Sequence, residues 1–144
     1  MQSTYPHPWI LQATGKVLES EDCEDHVGMV YLIINKKNGR KYVGKKFFYS
    51  TRKLPPLKGQ KRKRTKITES DWKDYWGSSN DLKADVEKYG KDNFLRYVLR
   101  ICDSKTELSY YELKEQVDRE ALLTDEYYND FIGGKINGKF LRNG

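Results

Sequence analysis

The sequence predicts an α/β domain of the α+β kind, a small and mainly antiparallel three-stranded sheet flanked by helices. Three observations predict it. Residues 28–46, GMVYLIINKKNGRKYVGKK, hold two strand-like runs either side of Asn38-Gly39, a pair that favours a hairpin because both residues tolerate positive φ. Phe94–Ile101 is a third short run of strand character. Helix-start chemistry stands between and after these runs, so the order reads β-β-α-β-α.

Residues 1–27 read as an N-terminal arm before a domain over 28–144. Tyr5-Pro6-His7-Pro8-Trp9 reads as extended, since two prolines two apart disfavour helix. Glu19–Asp25 reads as a solvated acidic cluster. In the hairpin that follows, loop length decides which side chains meet. A four-residue loop, Lys36–Gly39, sets Tyr42 opposite Ile33 and Tyr31 opposite Gly44. Both tyrosines then share a face as diagonal neighbours, roughly 7–8 Å apart at Cα. A two-residue loop keeps them on one face but farther apart, and a three-residue loop puts them on opposite faces.

Beyond the hairpin, Lys45–Lys53 is expected as a short helix that Pro55-Pro56 must end. Residues 54–67 form a basic loop containing KGQKRKRTK. Trp72, Tyr75 and Trp76 are expected to pack into the core, although such rings also stack on unpaired bases. Ser79 or Asn80 caps a helix through Tyr89, closed by Gly90. Ser104-Lys105-Thr106-Glu107 is a capping box for a helix running to about Leu122. Glu112 lies one turn beyond Leu108, near the edge of its inward stripe.

The net charge of +6 points to a polyanionic partner. No apolar run approaches membrane-spanning length and no signal peptide is evident, so a soluble cytoplasmic protein is expected. Cys23 and Cys102 lack close-spaced partners, which argues against a disulfide framework or a zinc site. Two histidines, His7 and His26, make a histidine-cluster hydrolase a poor candidate.

Two phenols on one face offer proton donors or bases. Arg52 offers a fixed fork of donors suited to phosphate, and Lys45 a point charge. Glu112 offers a carboxylate to Mg²⁺, which commonly takes one or two and keeps several waters. Together these suit phosphodiester hydrolysis.

The pattern resembles the GIY-YIG nuclease superfamily, most nearly its phage-encoded Seg-type endonucleases. Met29-Val30-Tyr31 stands where the first signature triplet would be, with methionine in place of the usual glycine. Tyr42-Val43-Gly44 stands where the second would be. The stretch YWGSSNDLKADVEKYGKDNF is similar to the middle of Seg-type domains. The resemblance covers about residues 28–130. It implies a GIY-YIG-like fold and a magnesium-dependent, homing-type DNA endonuclease, with Mn²⁺ able to replace Mg²⁺. It also implies catalytic roles for Tyr31, Tyr42, Lys45, Arg52 and Glu112, with Glu112 on the metal and Gly44 and Asn129 in support. Which tyrosine serves as base stays open.

Lys58, Lys61, Arg62, Lys63, Arg64 and Lys66 are expected to contact the phosphates of double-stranded DNA, which gives salt-sensitive affinity without base reading. One chain holds one site, so cutting both strands requires a homodimer on DNA or two visits. Homing members often carry a separate DNA-binding region, for which 144 residues leave no room. Sequence preference is therefore expected from the domain, its arm or a partner. Two alternatives stand beside the enzyme: a non-catalytic nucleic-acid-binding protein, and an interaction protein whose acidic arm folds over a basic surface.

Overall fold

The structure is a computed structural model that describes residues 5–129. A four-stranded sheet runs in the order β1 (Ile10–Leu11), β6 (Phe94–Cys102), β2 (Gly28–Asn35), β3 (Lys41–Phe47). Within this sheet β1 pairs with β6 in parallel, and the other two junctions are antiparallel. A separate two-stranded ribbon joins β4 (Tyr49–Leu54) to β5 (Arg64–Glu69). Helices α1 (Asn80–Tyr89) and α2 (Lys105–Asp118) complete the fold. The expected order survives as β2-β3-α1-β6-α2. The expected three-stranded sheet gains a fourth strand at its far edge.

The hairpin takes the four-residue loop. Ile33 faces Tyr42 and Tyr31 faces Gly44, and the turn closes with Gly39 N–H on the Asn35 carbonyl at 2.7 Å. Alternation along β2 then serves two cores. Met29, Tyr31 and Ile33 face Trp9, Phe48, Trp72 and α1, whereas Val30 and Leu32 join Val43 and Leu108 under α2. Met29, which stands in place of the family's glycine, is fully buried. The close approach falls instead at Gly28, where a Cβ would stand 2.5 Å from the Lys46 carbonyl oxygen and 2.9 Å from Leu108.

Three segments differ from expectation. Residues 45–53 are not a helix. Strand β3 continues to Phe47 and β4 follows, because Phe47, Tyr49 and Thr51 favour strand and β4 meets β-branched residues of β5, with Ser50 opposite Thr68, Thr51 opposite Ile67 and Lys53 opposite Thr65. The basic loop shortens accordingly to residues 55–63, the tip of the ribbon, with Arg64 and Lys66 on β5. Helix α2 stops at Asp118 rather than near Leu122. Glu120 adopts φ 54°, with its N–H on Val117 and the Ala121 N–H on Gln116, the pattern of a left-handed C-terminal cap. Val117 and Leu122 are exposed.

The segment read as a solvated arm is packed. Trp9, Leu18 and Cys23 are fully buried, while the carboxylates of Glu21, Asp22, Glu24 and Asp25 stay exposed around a short 3-10 turn, Ser20–Cys23. Arg96 ties this segment down. It lies in β6 at 3% exposure, between the rings of Trp9 and Trp76, 4.5 and 4.3 Å from their centroids. It donates to the carbonyls of His7, Lys73 and Tyr75. Burial pulls its guanidinium down to about 10, so it stays charged at neutral pH. Arg96→Met would leave three carbonyls without a donor and is expected to destabilise the fold by about 2–4 kcal/mol. Urea denaturation followed by tryptophan fluorescence checks this, and an unchanged midpoint would count against it.

Candidate active site

Tyr31 and Tyr42 meet over Gly44. Their ring centroids are 6.1 Å apart. A Cβ at position 44 would stand 2.5 Å from the Tyr31 hydroxyl and 3.0 Å from the Tyr42 ring. Tyr42 is flanked by a second glycine, Gly77, whose Cβ would lie 3.2 Å from the same ring. Tyr31 is also boxed by Trp9 at 5.1 Å and Tyr75 at 6.0 Å. It is 1% exposed. Burial, together with Tyr42, Tyr75 and Glu112, holds its phenol well above the usual range. Tyr31 is therefore a protonated donor at neutral pH. Tyr42 remains half-buried, with its hydroxyl 2.8 Å from Ser78 Oγ. It lines a cavity of about 350 Å³ with Ser78, Ser79, Asn80, Asp81, Tyr128 and Asn129.

Strand β3 is a sheet edge, so its outward backbone groups need partners. Asn129 supplies them at Val43: its Oδ1 accepts from the Val43 N–H at 3.0 Å and its Nδ2 donates to the carbonyl at 2.8 Å. Gln116 Nε2 donates to that carbonyl at 3.0 Å. Glu112, one turn before Gln116 on α2, stands near Lys45, the next residue whose backbone faces outward. Burial raises the Glu112 carboxyl above its ordinary value, while the Lys45 ammonium and N–H act in the opposite direction. Lys45 itself donates to Ser109 on α2 at 2.9 Å. Lys46 points to the other face, pairs with Asp71 at 2.6 Å and lies 4.2 Å from the Tyr75 ring centroid.

Of the residues singled out in the sequence, Tyr31, Tyr42, Gly44, Lys45, Glu112 and Asn129 thus gather at one edge of the sheet. Arg52 does not sit on a helix turned back toward them. It stands on β4 opposite Lys66, exposed to solvent. Lys58, Lys61, Arg62, Lys63, Arg64 and Lys66 are all exposed on the same ribbon. A cleft of about 480 Å³, lined by Lys45, Lys46, Lys105 and Tyr75 and by Ser50 and Thr51 of β4, joins the ribbon's root to the tyrosine edge. Ser78 and Gln116 belong to the site and were not singled out, and Tyr75, expected in the core, belongs to it as well. Tyr75-Trp76-Gly77 repeats the Tyr-x-Gly spacing of Tyr42-Val43-Gly44, and that repeat was the available signal.

Two outcomes follow from this geometry. Gly44→Ala forces the two phenols apart and is expected to cost about 1–3 kcal/mol with altered near-ultraviolet tyrosine dichroism; an unchanged spectrum and midpoint would contradict the close packing. The second concerns Glu112. Its folded pKa lies above its unfolded value, so its contribution is complete below the unfolded value and is lost as pH rises through the folded one. Glu112→Gln should therefore match wild type in acid and gain in Tm relative to it between about pH 4 and pH 7. Parallel melting curves over that range would refute the assignment.

Comparison with known proteins bears on this geometry. A family model described as "Putative endonuclease segE, GIY-YIG domain" matches residues 9–132. The chain is also similar to "Putative endonuclease segE" of Enterobacteria phage T4, at 31% identity over 106 residues. That match covers 73% of this chain and 41% of the phage protein, so the chain spans less than half of that relative's length. No solved structure matches the chain. Among the described residues, no helix is long and apolar enough to cross a membrane. The family match extends over both tyrosine strands, the ribbon and the two helices, and by it the chain belongs to the Seg-type GIY-YIG family.

Proposed function

We propose that the chain is a DNA endonuclease that hydrolyses phosphodiester bonds with Mg²⁺, or Mn²⁺ in its place, and that it is of the phage homing type. The observation that carries the proposal is the meeting of two phenols, a lysine and a half-buried carboxylate at one sheet edge beside a lysine-lined cleft. A structural hairpin gains nothing from a carboxylate whose ionisation burial opposes.

The donor set suits a hard cation. Among the described residues no group of three or more His, Cys, Asp or Glu side chains stands together, which disfavours zinc. One carboxylate with room for waters and a phosphate oxygen is a setting that Mg²⁺ tolerates. Glu112 would hold it. A bound divalent cation supplies neutralising charge at a phosphate oxygen and lowers the pKa of a bound water. The chain's own groups supply the rest. Tyr42 faces the cavity and orients the attacking water through its hydroxyl, whose direction Ser78 constrains. Tyr31, sealed from solvent, keeps its proton and fixes the ring of Tyr42. Lys45 balances phosphate charge from a position set by Ser109. Arg52 grips the substrate's phosphate or bases from β4 and does not act at the reacting group. Duplex DNA is the intended partner, and a homodimer on it would bring two sites to two strands.

Supercoiled plasmid incubated with the chain should be cut with Mg²⁺ and left intact with EDTA. Tyr42→Phe and Glu112→Ala should each lower cleavage by about 100-fold or more, whereas Arg52→Ala should raise KM more than it lowers kcat. Mg²⁺ should also raise the Tm of wild type and leave that of Glu112→Gln unmoved. Equal cleavage by wild type and the first two variants would remove the site; binding without cleavage in any divalent metal would favour the non-catalytic alternative.

A further inference from the structure

The chain's basicity is concentrated in one element. Residues 49–69 carry eight of the 27 Lys and Arg and one of the 21 Asp and Glu, so the remainder is nearly neutral, with 19 basic against 20 acidic residues. These residues are β4, β5 and the loop between them, and among the described residues the two strands pair only with each other. Every residue of β5 is exposed, as is the middle of β4.

The register sorts the ribbon into two faces. Ser50 opposes Thr68 and Arg52 opposes Lys66 on one of them. The two hydroxyls lie 3.3 Å apart. Two cations directly opposite each other destabilise a strand pair unless an acceptor comes between them. No ion pair among the described residues includes Arg52 or Lys66. That face is a row of donors waiting for an external acceptor.

We propose that the β4–β5 ribbon lies in the major groove of duplex DNA and reads base edges with the face that carries Arg52 and Lys66. This rests on duplex DNA being the partner proposed above, and not on its being cut. Six paired residues span about 20 Å, and the groove of B-form DNA, about 12 Å wide, admits a two-stranded ribbon. Guanine presents two acceptors there that a guanidinium can bridge. The tip lysines and arginines then contact the flanking phosphates. The cleft between Ser50, Thr51 and Lys45 leads from the ribbon's root to the tyrosine edge, so a duplex held by the ribbon has one strand directed to the candidate site. An A-form RNA duplex, whose major groove is deep and narrow, does not fit the same ribbon.

The test uses the full chain as Glu112→Gln in EDTA, with a pool of randomised duplex DNA oligonucleotides and anisotropy of the selected duplexes across salt concentrations. Selection of a guanine-containing motif is expected. Arg52→Ala, Arg52→Lys and Lys66→Ala should each abolish preference at particular positions of that motif, lowering discrimination by about tenfold or more. Arg52→Lys keeps the charge and loses the fork, which separates reading from simple attraction. Lys61→Ala with Lys63→Ala should instead weaken binding to all duplexes alike and flatten the salt dependence. Absence of any motif, a motif unchanged in the Arg52 and Lys66 variants, or equal binding of an RNA duplex would each overturn the proposal. Because binding is scored without cleavage, failure of wild type to cut DNA would end the enzymatic reading alone.

Discussion

The pairing of Tyr31 with Gly44 is the constraint on which the rest of the site depends. A phenol can cross the neighbouring strand toward the sheet edge only where that strand presents a hydrogen in place of a side chain, and position 44 does so. The turn from Asn35 to Arg40 sets this register, and a slip of one residue would put the two tyrosines on opposite faces of the sheet. On its other side β2 meets β6 across a bulge between Val30 and Tyr31, with Leu99 the extra residue. Such bulges re-aim a side chain, and this one lies beside the residue that must reach over Gly44. Trp9 and Tyr75 then close the box.

The outer edge of β3 is the second determinant. An unpaired edge invites another strand, and here the backbone of Glu126 and Tyr128 pairs with Lys41 while Asn129 and Gln116 bond Val43. One requirement thus serves two ends: α2, whose Gln116 helps satisfy Val43, also brings the Glu112 carboxylate near Lys45 at the edge where the phenols emerge. Strand alternation places Lys45 under α2 and Lys46 against Tyr75, so consecutive lysines bring positive charge to both faces of one strand.

Much of this was legible in the sequence, and what was missed has physical causes. Asn38-Gly39 marked the turn, but the register stayed open among loops of two, three and four residues, and the structure takes the four-residue one. Ser79, Gly90 and Ser104 marked helix ends through local chemistry that needs no tertiary context, and each serves as a cap. Strand β1 has two residues and pairs with β6, more than eighty residues away in sequence, so it offers no period to detect. Residues 45–53 misled because the strand that completes their alternation lies beyond two prolines and a charged loop. The end of α2 was obscured because Glu120, not glycine, takes the left-handed position. In the site, Tyr31, Tyr42 and Glu112 were picked out through the family resemblance. Tyr75 and Ser78 were not, because an aromatic cluster reads as core whether or not its hydroxyls are used.

The placement of charge and the placement of packing have been separated in this chain. The body is nearly neutral, so its buried ionic groups are governed locally: Arg96 by two indoles and three carbonyls, Glu112 by one N–H and one ammonium. The ribbon carries the charge and buries little. A two-stranded hairpin alone is marginal in water, and this one bears like charges across its strands, so its direction has to be imposed at its root. Phe48 provides that root, fully buried against Trp72 at 5.8 Å between ring centroids. Ser70 fastens the other strand, its N–H on the Phe48 carbonyl at 2.8 Å and its hydroxyl on that of Phe47 at 2.6 Å. Phe48 and Ser70 thus aim an otherwise unsupported basic arm along the cleft that begins at Lys45. Lengthening or recharging the arm would alter what it grips while leaving the tyrosine edge where the body holds it.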